Sequence, residues 1–482
     1  MNKLLFCCLF ILISPWAVAD DKARFYTSNA YKYSISPPPH WVKQSDYNRA
    51  SEHSGEPVNY LLSDHQVRFK KGDASVYRRN VQQPLTTEGL EYSSKIEVLF
   101  NPAYQRLVWH EISLSRGSHK YNKLDPKAIT LIQREEGLDS EIVDGYVTAV
   151  VVISGSRKGD VVDYAYTIEG RNPIYDEHVF YSTEIGWGVE VAKVNRRLLF
   201  EQDSGIRYKN YLSSIEPVVS VVDEMIEYRW EITNTPSIII EKDNPSWLKL
   251  YPEISFSNFN DWRAVSDWAV PLYQQRDIQS VELKAVLGEM ALLTGKEKIK
   301  KALSFVQGEI RYLGVELGVN SHKPRQPDDV VTKRFGDCKD KTLLLIAMLE
   351  PFGIKAYPAL VSTYGGRNLP DELPSPSVFN HVITRVELDG QVYWLDPTRS
   401  LQFGELERLG YYSYDNALIV GHPTLTLAKM PLAPKILPSI HTVEHINILS
   451  YEAPVDYTIT TEYTGVEADY MRAQFSRNGT SV

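Results

Sequence analysis

Cysteine is scarce in this chain: three residues among 482, two of them, Cys7 and Cys8, close to the N-terminus. Extended apolar runs are missing too. The one at Leu4 to Ile13 covers about ten residues, well short of the roughly 18–20 that span a bilayer. It follows Lys3 and precedes Ala17-Val18-Ala19, so residues 1–19 read as a signal peptide cleaved before Asp20. Cys7 and Cys8 lie inside its apolar core without the small residues that lipid anchoring requires. The mature protein is therefore expected to be exported, with no membrane span, to the periplasm of a Gram-negative cell. Basic charge is not in excess. The net charge of −9 becomes −10 once Lys3 is lost, which argues against nucleic acid or anionic membrane as a partner. No EF-hand loop or histidine pair with ligand spacing occurs, so neither metal nor cofactor is expected. Internal repeats and low-complexity tracts are absent. At this length two or three domains are expected.

What is present is a change of period along the chain. Residues 20–245 alternate with period two, as in Ile96, Val98 and Phe100, in Val162, Tyr164, Tyr166 and Ile168, and in Ile226, Tyr228, Trp230 and Ile232. Such short runs, with Asp144-Gly145 as a hairpin turn between Ile142 and Val147, predict an antiparallel β-sandwich. Near 255 the period becomes helical. Helices are expected over 261–272 and 281–293. A capping box at Thr294-Gly295-Lys296-Glu297 opens a third, with Ile299, Leu303, Val306 and Ile310 on one face to about Tyr312. Leu343 to Leu349 is apolar on every face, the mark of a central helix, and Pro351 and Gly353 end it. A strand from Ala356 and a Gly/Pro-rich loop over 364–377 follow. Residues 255–425 thus predict an α+β domain, and 430–482 a short C-terminal β segment with a helix over 466–475.

The remaining cysteine, Cys338, stands in Gly336-Asp337-Cys338-Lys339-Asp340-Lys341 at the start of the apolar helix. A lone thiol in an exported chain has no internal disulfide partner and is open to oxidation, so its retention needs a chemical reason. At a helix N-terminus a sulfur faces unpaired N–H groups, which favour the thiolate, and the Cys338 N–H can serve a developing oxyanion. His381 and Asp396 lie downstream. If Asp389-Gly390 is a two-residue turn, residues 388 and 391 pair, and Asp396 falls opposite Ile383 on the face that carries His381. An aspartate there fixes the imidazole's tautomer. Each residue has a bland alternative: a small core cysteine, a structural histidine, an Asp-Pro turn. Their order and spacing together favour a catalytic Cys338, His381 and Asp396. Lys339 and Lys341 read as solvated, and Asp337 and Asp340 as caps or local ion-pair partners.

Residues 255–400 resemble the transglutaminase-like superfamily of papain-type thiol enzymes. The likeness rests on Arg334-Phe335-Gly336-Asp337-Cys338-Lys339-Asp340-Lys341, Gly353-Ile354-Lys355-Ala356-Tyr357-Pro358, Asn380-His381-Val382 and Tyr393-Trp394-Leu395-Asp396-Pro397-Thr398. It implies Cys338 as nucleophile, His381 as base and Asp396 as its orienter. The side-chain donor of the oxyanion hole stays open between Gln307, Gln326 and a tryptophan. Residues 25–245 resemble the β-sandwich domain of unknown function that precedes this domain in bacterial exported proteins, through Phe100-Asn101-Pro102-Ala103-Tyr104-Gln105 and Gly170-Arg171-Asn172-Pro173-Ile174.

The expected activity is acyl transfer at an amide or peptide bond of a protein, peptide or cell-envelope substrate, with hydrolysis favoured over amine transfer. The competing expectation is a binding or envelope-assembly module that keeps the fold without turnover. A redox-sensing Cys338 is the third, and the absence of a resolving cysteine counts against it.

Overall fold

A computed structural model describes residues 23–47, 56–135, 137, 141–424, 426–431 and 439–478; residues 1–19, expected to be a signal peptide, lie outside them. The chain is mixed α+β and rich in strands.

The N-terminal half is organised around a ten-stranded sheet. It departs from the antiparallel expectation at two places. Strand Val191–Glu201 runs parallel to Val58–Lys70, and Tyr31–Ile35 parallel to Arg106–Arg116. Period-two patterning gives the buried face of a strand but says nothing of its neighbour's direction. Two three-stranded sheets cover this large sheet. One joins Lys95–Phe100, Val147–Val152 and Ile129–Gln133, and buries Ile96, Val98 and Phe100 against Trp109, Ile112 and Leu114. The other joins Phe180–Glu184, Glu253–Ser257 and Arg207–Tyr211, and packs Ile254 and Phe256 on Phe200, Tyr228 and Trp230. Fully buried side chains of this size contribute about 1.5–3 kcal/mol each.

Asp144-Gly145 makes no hairpin, although Gly145 takes the left-handed φ of 72°. Ile142–Val143 pairs with Gly314–Val315 of the second half, whereas Val147–Val152 pairs with Lys95–Phe100. The turn chemistry was local; the partners were not.

In the second half, helices Trp262–Ala269, Val281–Ala291 and Gly295–Glu309 follow the predicted pattern, the last with its capping box formed. Arg311–Tyr312 leaves the helix and pairs as a short strand with Phe335–Gly336. Ile299, Leu303 and Val306 pack against Leu344, Leu345 and Met348 of the helix Cys338–Leu349. Eleven of that helix's twelve residues are buried, which is why its sequence shows no polar face. A five-stranded antiparallel sheet lies against it, in the order Gln391–Leu395, His381–Leu388, Lys355–Val361, Asn416–Ile419, Leu427–Lys429. The C-terminal residues form a hairpin, Ser439–Asn447 with Asp456–Thr464, and a helix, Gly465–Asn478. Among the described residues no helix is long and apolar enough to cross a membrane.

Candidate active site

The thiol is placed by a helix start that the local sequence dictates. Asp337 caps the helix by accepting from the Asp340 N–H, and Asp340 returns to the Asp337 N–H at 3.3 Å. Gly336 is required beside this box, because a Cβ there would lie 2.8 Å from the Asp340 Cβ. Asp340 also receives Arg325 through its backbone N–H at 2.7 Å and its guanidinium at 2.6 Å. Cys338 then occupies the first turn, 8% exposed, with its thiol free.

The turn at Asp389-Gly390, with φ of 52° and 75°, is the left-handed pair that a two-residue hairpin needs. It sets Leu388 opposite Gln391 and Thr384 opposite Leu395, so Asp396 emerges beside His381. His381 Nε2 lies 3.0 Å from Asp396 Oδ2. Cys338 and His381 line one cleft, close enough for the charge of the thiol to act on the imidazole. Asp396 is held in turn by the Thr398 N–H at 2.9 Å and hydroxyl at 2.6 Å, both on Oδ1. Tyr414 stands edge-on to the imidazole at 5.9 Å.

Electrostatics reinforce this order. Burial alone would depress the His381 pKa, but the charge and hydrogen bond of Asp396, then Cys338, hold it well above the usual histidine range. Burial would likewise raise Asp396, yet His381 and Thr398 bring it down to about 2. The pair therefore keeps a carboxylate and favours an imidazolium at neutral pH.

Two lysines correct the sequence reading. Lys339 and Lys341 are 3% and 1% exposed, not solvated. Lys339 pairs with Asp337 and reaches Glu316 at 3.4 Å; those charges keep it protonated against the cost of burial. Lys341 points inward and donates to the Ile310 carbonyl at 2.6 Å. Burial lowers its pKa from 10.5 to about 8, with Asp396 and Glu141 acting the other way. Between those values the unfolded chain holds a proton that the folded one has lost, so folding is favoured as pH rises through that window. Stability of the wild type relative to Lys341→Met is expected to increase from pH 8 to pH 10.5 in urea titrations. A flat difference would contradict the buried ammonium.

Neither glutamine considered for the oxyanion faces the thiol. Gln307 donates to the Asp396 carbonyl at 3.0 Å and to Gln402 at 2.9 Å, which makes it a support for the hairpin end. Gln326 precedes the helix Pro327–Lys333 and bonds Arg276 and Gln274. Trp268 lines the cleft, but its indole N–H is taken by the Ile174 carbonyl at 3.1 Å.

Beside the sulfur opens a cleft of about 290 Å³, walled by Trp268, Tyr273, His322, Leu360, Phe379 and Val382. Tyr273 and Tyr312 also face the thiol. Burial first, then the charge of Cys338, raises both hydroxyls. The N-terminal half completes this wall. Asn172 donates to the Gly318 carbonyl at 3.0 Å and the Ser321 hydroxyl at 2.9 Å, and Tyr175 packs on His322 and Trp268. The Gly170-Arg171-Asn172-Pro173-Ile174 stretch thus docks the two halves at the cleft. In sequence this stretch entered only through its likeness to the β-sandwich domain, which says nothing of docking.

Residues 70–239 match a family model described as a domain of unknown function with solved structure (DUF3857), which covers less than half of the chain. Among curated proteins there is no match. A solved structure titled a "putative protease" from Parabacteroides distasonis ATCC 8503 is similar in fold, with a TM-score of 0.63 at 15% identity over 78% of this chain and 72% of that one. Another, titled a "putative cysteine protease" from Cytophaga hutchinsonii, aligns over 82% of this chain and 90% of that chain at 9% identity. Its TM-score of 0.21 carries no weight.

Proposed function

We propose that this protein is an exported, transglutaminase-like thiol enzyme that cleaves amide or peptide bonds through Cys338, His381 and Asp396. The observation that carries the reading is one imidazole bonded to a carboxylate at 3.0 Å and sharing an open cleft with a thiol at a helix N-terminus. In the proposed reaction Sγ attacks the carbonyl carbon as the thiolate, and the Cys338 N–H, free of any intrahelical acceptor, receives the oxyanion. The C–N bond breaks, and the amine leaves with the proton held by His381. Water then gives a proton to His381, attacks the acyl carbon and releases the acid and the thiol. An amine entering in place of water would give transfer instead.

Incubating the full chain with cell-envelope extract and searching for mass adducts on the Cys338 peptide tests the proposal. An acyl adduct that hydroxylamine removes is the expected result. An unmodified Cys338 across extracts and protein substrates would leave the fold without this activity.

A further inference from the structure

Strands Lys355–Val361 and His381–Leu388 are neighbours in one sheet, and Val361 pairs with His381 itself. A tight turn of about 2–5 residues can join such strands, yet here residues 362–380 intervene. The loop comes back along the thiol cleft, where Pro376 and Phe379 form part of the wall. Ordering a connection of this length costs conformational entropy, which its contacts must offset. Within its own half the loop is held near its ends. Asn380 accepts from the Thr363 N–H at 2.9 Å and donates to the Thr363 hydroxyl at 2.7 Å. Asn416 donates to the Gly366 carbonyl at 2.9 Å.

Between Asn368 and Pro374 the contacts come from the N-terminal half. The Tyr211 hydroxyl accepts from the Leu373 N–H at 3.0 Å, and the Lys209 ammonium donates to the Asp371 carbonyl. Ser257 donates to the Pro374 carbonyl at 2.5 Å, and the Asn368 amide donates to the Trp247 carbonyl. Lys249 pairs with Glu372 at 3.2 Å and lies 4.1 Å from the centre of the Tyr211 ring; its other carboxylate neighbour, Glu253, is at 3.7 Å. Glu372 is only 11% exposed, so the pair is largely shielded from water and its loss is costly.

We infer that the N-terminal half latches residues 364–379 as a movable wall of the thiol cleft, with Tyr211 and Lys249 as its positioning residues. Latched, the loop confines the reacting sulfur to a cleft of about 290 Å³. Released, it admits bulkier groups, as a lid hinged on a rigid scaffold does. Glu372 gives the motion its direction, because without Lys249 its carboxylate gains by turning outward to water. The inference rests on the thiol-enzyme reading for its purpose alone, since loop motion and thiol access are both measured without turnover.

Hydrogen exchange read by mass spectrometry, on the full chain and on its Tyr211→Phe/Lys249→Met double variant, tests the latch. Both substitutions keep most of the side-chain bulk, and both sites are partly exposed, so the fold should persist. Amides of residues 366–376 are expected to exchange at least about tenfold faster in the double variant, while the Cys338–Leu349 helix exchanges as in the wild type. Access is read on Cys338 with iodoacetamide and with the bulkier, uncharged N-pyrenyl iodoacetamide. The ratio of bulky to small rates should rise by at least about tenfold. Lys249→Arg, which keeps the charge, should leave both readouts at wild-type values. Unchanged loop exchange, faster exchange throughout the chain, an unchanged ratio, or the same change in Lys249→Arg would overturn the latch. Acylation of Cys338 by envelope extract is a separate measurement, so either conclusion can fail while the other stands.

Discussion

Replacing His381 by alanine is expected to slow acylation of Cys338 by about 100- to 10,000-fold, the range that a positioned general acid–base supplies. The loss has two sources. The thiol loses the group that takes its proton, and the departing amine loses its proton donor. Because His381 begins a strand and only its backbone pairs with Val361, the fold should survive the change. Asp396 would be left as a buried carboxylate with Thr398 as its remaining partner, so a modest loss of stability is expected as well. Single-turnover rates with an activated ester or amide, alongside circular dichroism of the variant, separate the two effects. A variant that acylates at the wild-type rate would remove His381 from the chemistry.

The second large effect concerns Asp340, a residue that does not touch the thiol. Its carboxylate is 1% exposed and gathers Arg325, the Arg325 N–H and the Asp337 N–H around the helix start. Asp340→Ala leaves the Arg325 guanidinium, itself only 11% exposed, without its counter-ion. Breaking one side of a buried pair costs about 3–5 kcal/mol, and loss of the capping box adds to it. Urea midpoints should fall accordingly, whereas Cys338→Ala should stay close to the wild type. Near-equal midpoints for Asp340→Ala and the wild type would show that the box is not what fixes the thiol.

How far the sequence carries can be judged from these residues. The hairpin was legible because Asp389-Gly390 fixes its register within one turn, and that register alone brings Asp396 to His381. The cysteine helix was legible from its unbroken apolar run. The burial of Lys339 and Lys341 was not, because Glu316 and the Ile310 carbonyl reach them only through tertiary packing. The same holds for Gln307, whose partner lies 89 residues away in a different element. Direction of strand pairing also escapes a single sequence. Alternation names the face of a residue, but only the order of strands in the sheet names its neighbours.

The central claim is that one imidazole, steadied by a carboxylate, shares a proton with Cys338. The rate of Cys338 alkylation by iodoacetamide as a function of pH, in the wild type and in His381→Ala, measures this most directly. The account predicts fast alkylation persisting below neutral pH in the wild type. In the variant alkylation below neutral pH should be slower by at least about tenfold. Superimposable profiles for the two proteins would contradict it.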